Sequence, residues 1–257
     1  MGNISVKYEN YVAHVVMNRP PANALAQSVL REIAEVFHHL ESNENVRAIL
    51  LYGEGRFFSA GADIKEFVQI KQQGTLNELA NIGQDVFETI ESFPKPVIAA
   101  IHGAALGGGL ELAMACHIRL VAENAKLGLP ELQLGLVPGF GGTQRLPRYV
   151  GRAKAFEMLF TSDPILGSEA VKTGLANHAY PEEDLLNQAK ALAEKIVLKS
   201  PLAIKVAIEL VNVSKTAAFY DGIQKEAQAF HELFQSKDAG EGIQAFIEKR
   251  KPQFKGE

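Results

Sequence analysis

Apolar positions along the chain change rhythm repeatedly, and each change marks an element. Residues 4–8 and 11–17 are short β-rich runs separated by Glu9 and Asn10, which predicts an opening hairpin. Over residues 26–40, Val29, Leu30, Ile33, Val36, Phe37 and Leu40 recur at helical spacing, and residues 46–52 read as a buried strand. A glycine-rich connection over 53–63 leads to a second helical stretch. The third covers residues 76–93, with Leu79, Ile82, Val86 and Ile90 on one face, and Pro94-Lys95-Pro96 stops it. Residues 97–101 predict a strand, 110–115 a helix and 118–122 another strand.

Strands alternating with helices imply a largely parallel sheet, or stacked βαβ turns, with helices on the faces. Beyond Gly151 the pattern becomes helix after helix, over 182–198, 201–213, 216–234 and 240–249. The expected organisation is therefore an α/β body over residues 1–199 followed by a helical part over 200–257.

Composition narrows the classes of function. With 257 residues, 47% of them hydrophobic, the chain can bury a large core without metal or disulfide staples. The net charge of -4 argues against a partner held by phosphate neutralisation. Cys116, the single cysteine, can form neither an internal disulfide nor a cysteine-based zinc site, and reads as a small buried apolar residue in a reducing, cytoplasmic setting. The N-terminal residues lack the pattern of a secretory signal. The most apolar window, 97–115, carries His102, Glu111 and Gly107-Gly108-Gly109, so it reads as a buried strand running into a helix rather than a membrane span.

Familiar motifs fail in turn. No Gly-Lys-Ser/Thr follows a glycine run, and Gly139-Phe140-Gly141-Gly142-Thr143-Gln144 lacks the last glycine of a dinucleotide fingerprint. His38 and His39 are adjacent on a helix and do not face one site. Gly107-Gly108-Gly109 carries more information. Three glycines between a buried strand and a helix let backbone approach a ligand and leave the first helical N–H groups unpaired, which suits a developing negative charge. Glu111 follows on an otherwise apolar segment, where burial raises a carboxyl pKa toward the range useful for proton transfer. Glu131 lies in a short irregular run, and spacing alone does not say whether the two acids meet.

The segment from Ile98 to Arg119, centred on His102-Gly103-Ala104-Ala105-Leu106-Gly107-Gly108-Gly109-Leu110-Glu111, resembles the central motif of the enoyl-CoA hydratase (crotonase) family. Further matches follow in order: Asn18-Arg19-Pro20 with Asn23-Ala24-Leu25, Phe57 to Lys65, Leu129-Pro130-Glu131, and Gly141-Gly142-Thr143-Gln144-Arg145-Leu146. The resemblance implies a crotonase-like α/β spiral of ββα turns with a C-terminal helical trimerisation region, assembled as a homotrimer or a dimer of trimers. It implies an acyl-CoA substrate, no metal, and no cofactor beyond the coenzyme A of the substrate. It assigns Glu111 and Glu131 as the acid/base pair and the N–H groups of Ala62 and Gly108 as the oxyanion hole. Ala22, Ala24, Ala60, Ala62, Asp63, Ile64 and Lys65 would surround coenzyme A, with Phe230, Phe246 and Lys249 reaching a ligand from the C-terminal helices.

These residue types suit hydration of a 2-enoyl thioester, here expected within fatty-acid β-oxidation. Water adding to Cβ throws charge onto the thioester oxygen, where two fixed N–H donors stabilise it. The carboxylates hold and deprotonate that water while a proton reaches Cα. An isomerase of the same family, commonly using one carboxylate, is the nearest alternative. An RNA-binding or scaffold role is weaker, because the 26–40 helix offers only Arg31 as a cation and the 76–93 helix offers none.

Overall fold

A computed structural model describes residues 2–63, 66, 76–217 and 219–257. The opening hairpin forms as expected, β1 (Ile4–Glu9) pairing antiparallel with β2 (Val12–Met17). After helix α1 (Gln27–Ser42), strand β3 (Ala48–Gly53) lies parallel to β2. Helix α2 (Leu76–Glu91) then leads to β4 (Val97–Ile101), parallel to β3 and buried at every position. Such continuous burial explains why β4 reads as an unbroken apolar run, since a central parallel strand is covered on both faces.

From β4 onward the chain coils between two sheets. It enters a small second sheet as β5 (Ala104–Leu106), forms helix α3 (Gly108–Ala115), and returns to the large sheet as β6 (Ile118–Ala122). It leaves again as β7 (Lys126–Gly128), followed by a 3₁₀ turn (Pro130–Leu134) and helix α4 (Gly142–Thr161). Strand β8 (Ile165–Leu166) closes the small sheet, helix α5 (Gly167–Lys172) follows, and β9 (His178–Tyr180) completes the large one. The large sheet runs β1-β2-β3-β4-β6-β9 and the small one β5-β7-β8. Isolated parallel bridges, Ser59 with Ala105 and Leu25 with Ala62, carry the second layer back toward the N-terminal part. That continuation sets the Ala62 loop beside the start of α3.

Beyond Gly151 the expectation of helices alone is corrected. Strands β8 and β9 intervene, and they are too short, at 2 and 3 residues, to show any periodicity. Helix α6 (Glu182–Ile196) covers the large sheet, then α7 (Pro201–Val213), α8 (Phe219–Phe234) and α9 (Lys237–Ile247) follow. Helix α9 starts at Lys237 rather than at residue 240, because Ser236 caps it by accepting from Ala239 N at 3.1 Å. The Ser200 side chain caps α7 and also donates to buried Asp238 at 2.7 Å. The C-terminal tail is tied back to the body through Arg47, which donates to the Phe254 carbonyl at 2.9 Å. Among the described residues, no helix is long and apolar enough to cross a membrane.

Candidate active site

Gly107 starts the site. Its backbone, at φ 51 and ψ -128, lies where side chains are rarely tolerated, and its carbonyl accepts from Leu110 N and Glu111 N as α3 begins. Gly108 is the first helical residue, so the helix supplies no acceptor for its N–H. Ala62 reaches the same place from the other loop. Leu25 N donates to Gly61 O and Asp63 N donates to Leu25 O, so the bridge uses the residues flanking Ala62 and leaves the Ala62 N–H out. A Cβ on Gly108 would stand 3.5 Å from Ala62 N, and one on Gly61 would stand 3.5 Å from Gly108 N. Two backbone N–H groups thus lie close together, and among the described residues neither donates a hydrogen bond.

Side chains fasten the Ala62 loop to the first loop. Asn23 accepts from Arg19 N and donates to the carbonyls of Glu54 and Phe57 at 2.9 and 2.8 Å. The Ser59 hydroxyl donates to Asn23 O, Ala60 N donates to Ala22 O, and Arg19 pairs with Asp63 at 2.6 Å. Ala22, Ala24, Ala60, Ala62 and Asp63 are thereby gathered along one pair of linked loops. Ile64 and Lys65 lie outside the described residues.

Glu111 sits on α3 and is 1% exposed. Its Oε1 accepts from Phe140 N at 2.8 Å and from Gly142 N at 2.7 Å, both on the segment that opens α4. Burial pushes its carboxyl up to about 7. The two N–H groups and the Arg145 guanidinium oppose that rise, and the Glu131 charge adds to it. Glu131 stands on the 3₁₀ turn, which Pro130 opens and left-handed Gly135 closes. Burial raises its carboxyl as well. Its Oε1 faces Gly107, where an added Cβ would lie 2.8 Å away, and its buried Oε2 has no hydrogen-bond partner among the described residues. The two acids, twenty residues apart in the chain, are thereby near enough at the start of α3 for the Glu131 charge to act on Glu111. The Phe140 ring closes one side, packing edge-on to Phe87 at 5.5 Å and against Gly108.

The other candidates separate from this cluster. Phe230 and Phe246 are 69% and 84% exposed, and Lys249 follows α9 at φ 55. Among the described residues, no hydrogen bond or ion pair links any of the three to Glu111, Glu131 or the N–H groups of Ala62 and Gly108. His38 and His39 are exposed on α1, and Cys116 is buried with its thiol pushed by burial up to about 12. No three His, Cys, Asp or Glu side chains among the described residues form a metal-holding group. The sequence reading did not assign the donors to Glu111, Phe140 N and Gly142 N, because backbone groups 29 and 31 residues away leave no side-chain signature.

A two-sheet coil of this kind, with a glycine-capped helix at the crossing, is the crotonase fold. The crystal structure of an enoyl-CoA hydratase from Bacillus anthracis superposes with a TM-score of 0.95 at 40% identity, covering 99% of this chain and 100% of that one. The chain belongs to the enoyl-CoA hydratase/isomerase family, whose model matches residues 7–257. A probable enoyl-CoA hydratase of Bacillus subtilis is 55% identical over the full length of both chains. A crotonyl-CoA hydratase of Syntrophomonas wolfei is 42% identical, over 98% of this chain and 97% of its own.

Proposed function

We propose that the chain is an enoyl-CoA hydratase, adding water across the 2,3 double bond of a 2-enoyl-CoA to give a 3-hydroxyacyl-CoA, as a step of fatty-acid β-oxidation. The observation that carries this reading is the pairing of Glu111 with a second acid, Glu131, whose buried Oε2 has no hydrogen-bond partner among the described residues. A family member that only moves a double bond needs one proton carrier; addition of water needs groups for both the oxygen and the Cα proton. The thioester carbonyl accepts from Ala62 N and Gly108 N, which makes Cβ electrophilic. Glu111, anchored through Oε1, holds and deprotonates the attacking water through its other oxygen. Glu131 gives a proton to Cα as the enolate collapses. A carboxyl near 7 sits where acid and base forms are both populated, which favours transfer in each direction.

The linked loops bearing Ala22, Ala24, Ala60, Ala62 and Asp63 receive coenzyme A together with Ile64 and Lys65, which follow in the sequence, and the chemistry needs no other cofactor. Phe230, Phe246 and Lys249 serve a ligand held by a neighbouring subunit in a homotrimer or a dimer of trimers. Support for association comes from apolar side chains left in water on one chain, with Phe160 70% and Phe246 84% exposed. A cytoplasmic enzyme with one buried, unreactive cysteine fits this reading.

The test is to follow loss of the conjugated enoyl-thioester absorbance with crotonyl-CoA, beside a 3-enoyl-CoA isomerisation assay. Rapid hydration is expected. Isomerisation without hydration, by folded protein that binds coenzyme A, would sink the hydratase reading.

A further inference from the structure

Glu111 depends on two N–H groups that lie on a loop, and loops do not hold position unaided. The Phe140–Gly142 segment is gripped from its far side by Arg145, whose side chain is only 8% exposed. Arg145 Nη1 donates to the Phe140 carbonyl at 2.9 Å, while the N–H of the same residue donates to Glu111. Gly141, at φ 96, lies under the guanidinium so closely that an added Cβ would collide with Nη1. The segment is wrapped around the arginine.

The arginine is itself held. Its Nε donates to Glu91 Oε2 at 2.8 Å at the end of α2, and its Nη2 forms an ion pair with the same oxygen at 2.7 Å while donating to Glu88 Oε2 at 3.4 Å. Lys215, just after α7, pairs with Glu91 Oε2 at 3.1 Å. Burial alone would raise Glu91, but Arg145 and Lys215 hold its carboxyl below the usual range. Position argues against a purely stabilising role: a cation in the first turn of a helix opposes the helix dipole, and a buried ion pair is costly to desolvate. An apolar residue would close the gap more cheaply, yet could not hold the Phe140 carbonyl.

We infer that Arg145 is a positioning residue for Glu111, acting through the Phe140–Gly142 backbone and anchored by Glu91 and Lys215. This rests on Glu111 acting as proposed above. Around Glu111 the charged groups are Glu131 and Arg145, and around the anchor they are Glu88, Lys215, His117 and Arg119. Losing the guanidinium therefore removes one nearby cation and loosens two hydrogen bonds, and both changes disfavour the Glu111 carboxylate.

The experiment compares wild type, Arg145→Gln and Glu91→Gln in the full-length protein. One readout is hydrogen exchange of the peptide covering residues 136–146. The other is the pH profile of crotonyl-CoA hydration. For Arg145→Gln we expect exchange at Phe140 and Gly142 about tenfold faster or more, with the β4 amides unchanged. We expect kcat lower by about 10–100-fold with KM nearly constant, and the acidic limb of the profile displaced to higher pH. Glu91→Gln, which keeps the guanidinium, should move every readout the same way by less, and it decides the matter if Arg145→Gln does not fold. Wild-type exchange and an unmoved pH profile in a folded variant would overturn the inference. A wild type without hydratase activity would instead overturn the functional reading, and the exchange comparison would still decide whether Arg145 positions the segment.

Discussion

Glu111 rides on a helix whose eight residues are all buried, whereas Glu131 stands on a five-residue 3₁₀ turn with no buried residue. The first carboxylate is tied down by two backbone donors from another element; the second keeps one buried oxygen with no hydrogen-bond partner among the described residues. A proton-transfer pair benefits from this asymmetry. A fixed group defines where the water stands, and a less constrained group can follow the substrate carbon as it rehybridises.

The largest effects should come from the acids themselves. Glu111→Gln and Glu131→Gln preserve shape and remove proton transfer, so kcat for crotonyl-CoA hydration should fall by about 10²–10⁴-fold in each. A folded Glu131→Gln enzyme at wild-type rate would reduce that residue to a bystander.

Stability should separate the two next. Glu111 moves from 4.5 to about 7 on folding, so the folded state binds more protons than the unfolded state between those values. Its contribution to stability is fully present below 4.5 and is lost as pH rises through about 7, a loss of about 3 kcal/mol on the linkage relation. Denaturant unfolding at pH 5 and pH 8 should show most of that fall in wild type, and the fall should be largely abolished in Glu111→Gln. Glu131 is raised in the same sense, so Glu131→Gln should change the pH dependence in the same direction, by less because the group is less buried.

Smaller effects follow at the glycines beside each acid. A Cβ on Gly142 would come 2.9 Å from Glu111 Oε1 and 2.9 Å from Pro138 Cβ, so Gly142→Ala must displace the anchored carboxylate. A loss on the order of tenfold in kcat is expected. Gly135, which closes the Glu131 turn at φ 69, has open space around its would-be Cβ. Gly135→Ala should cost about 1 kcal/mol of stability through backbone strain and leave kcat within about twofold. Equal kinetic losses in the two variants would erase the contrast between the fixed and the less constrained acid.

The sequence made one half of this contrast readable and hid the other. Strand β4, Gly107-Gly108-Gly109 and Glu111 stand out because an unbroken apolar run, a glycine cluster and one acid on an apolar helix are each local signals. The nearness of Glu131 to Glu111 depends on how β5 and β7 pair, and three-residue strands carry no period. Helix α4 escaped because Pro147 and the kink at Gly151, φ 73, interrupt its pattern. Strand β9 was missed for its length, which is why the large sheet reaches into a stretch that reads as helical. The hold of Phe140 and Gly142 on Glu111 is made by backbone, and a backbone donor has no residue type to announce it.

The central claim is that the two carboxylates act as a unit on one water. A double-mutant cycle on kcat, using Glu111→Gln, Glu131→Gln and the combined variant, tests it most directly. Groups serving one transition state are not additive, so the combined variant should be slower than the slower single variant by no more than about tenfold. Losses that multiply across the two positions, with all variants folded, would contradict a shared water and assign the carboxylates to separate steps.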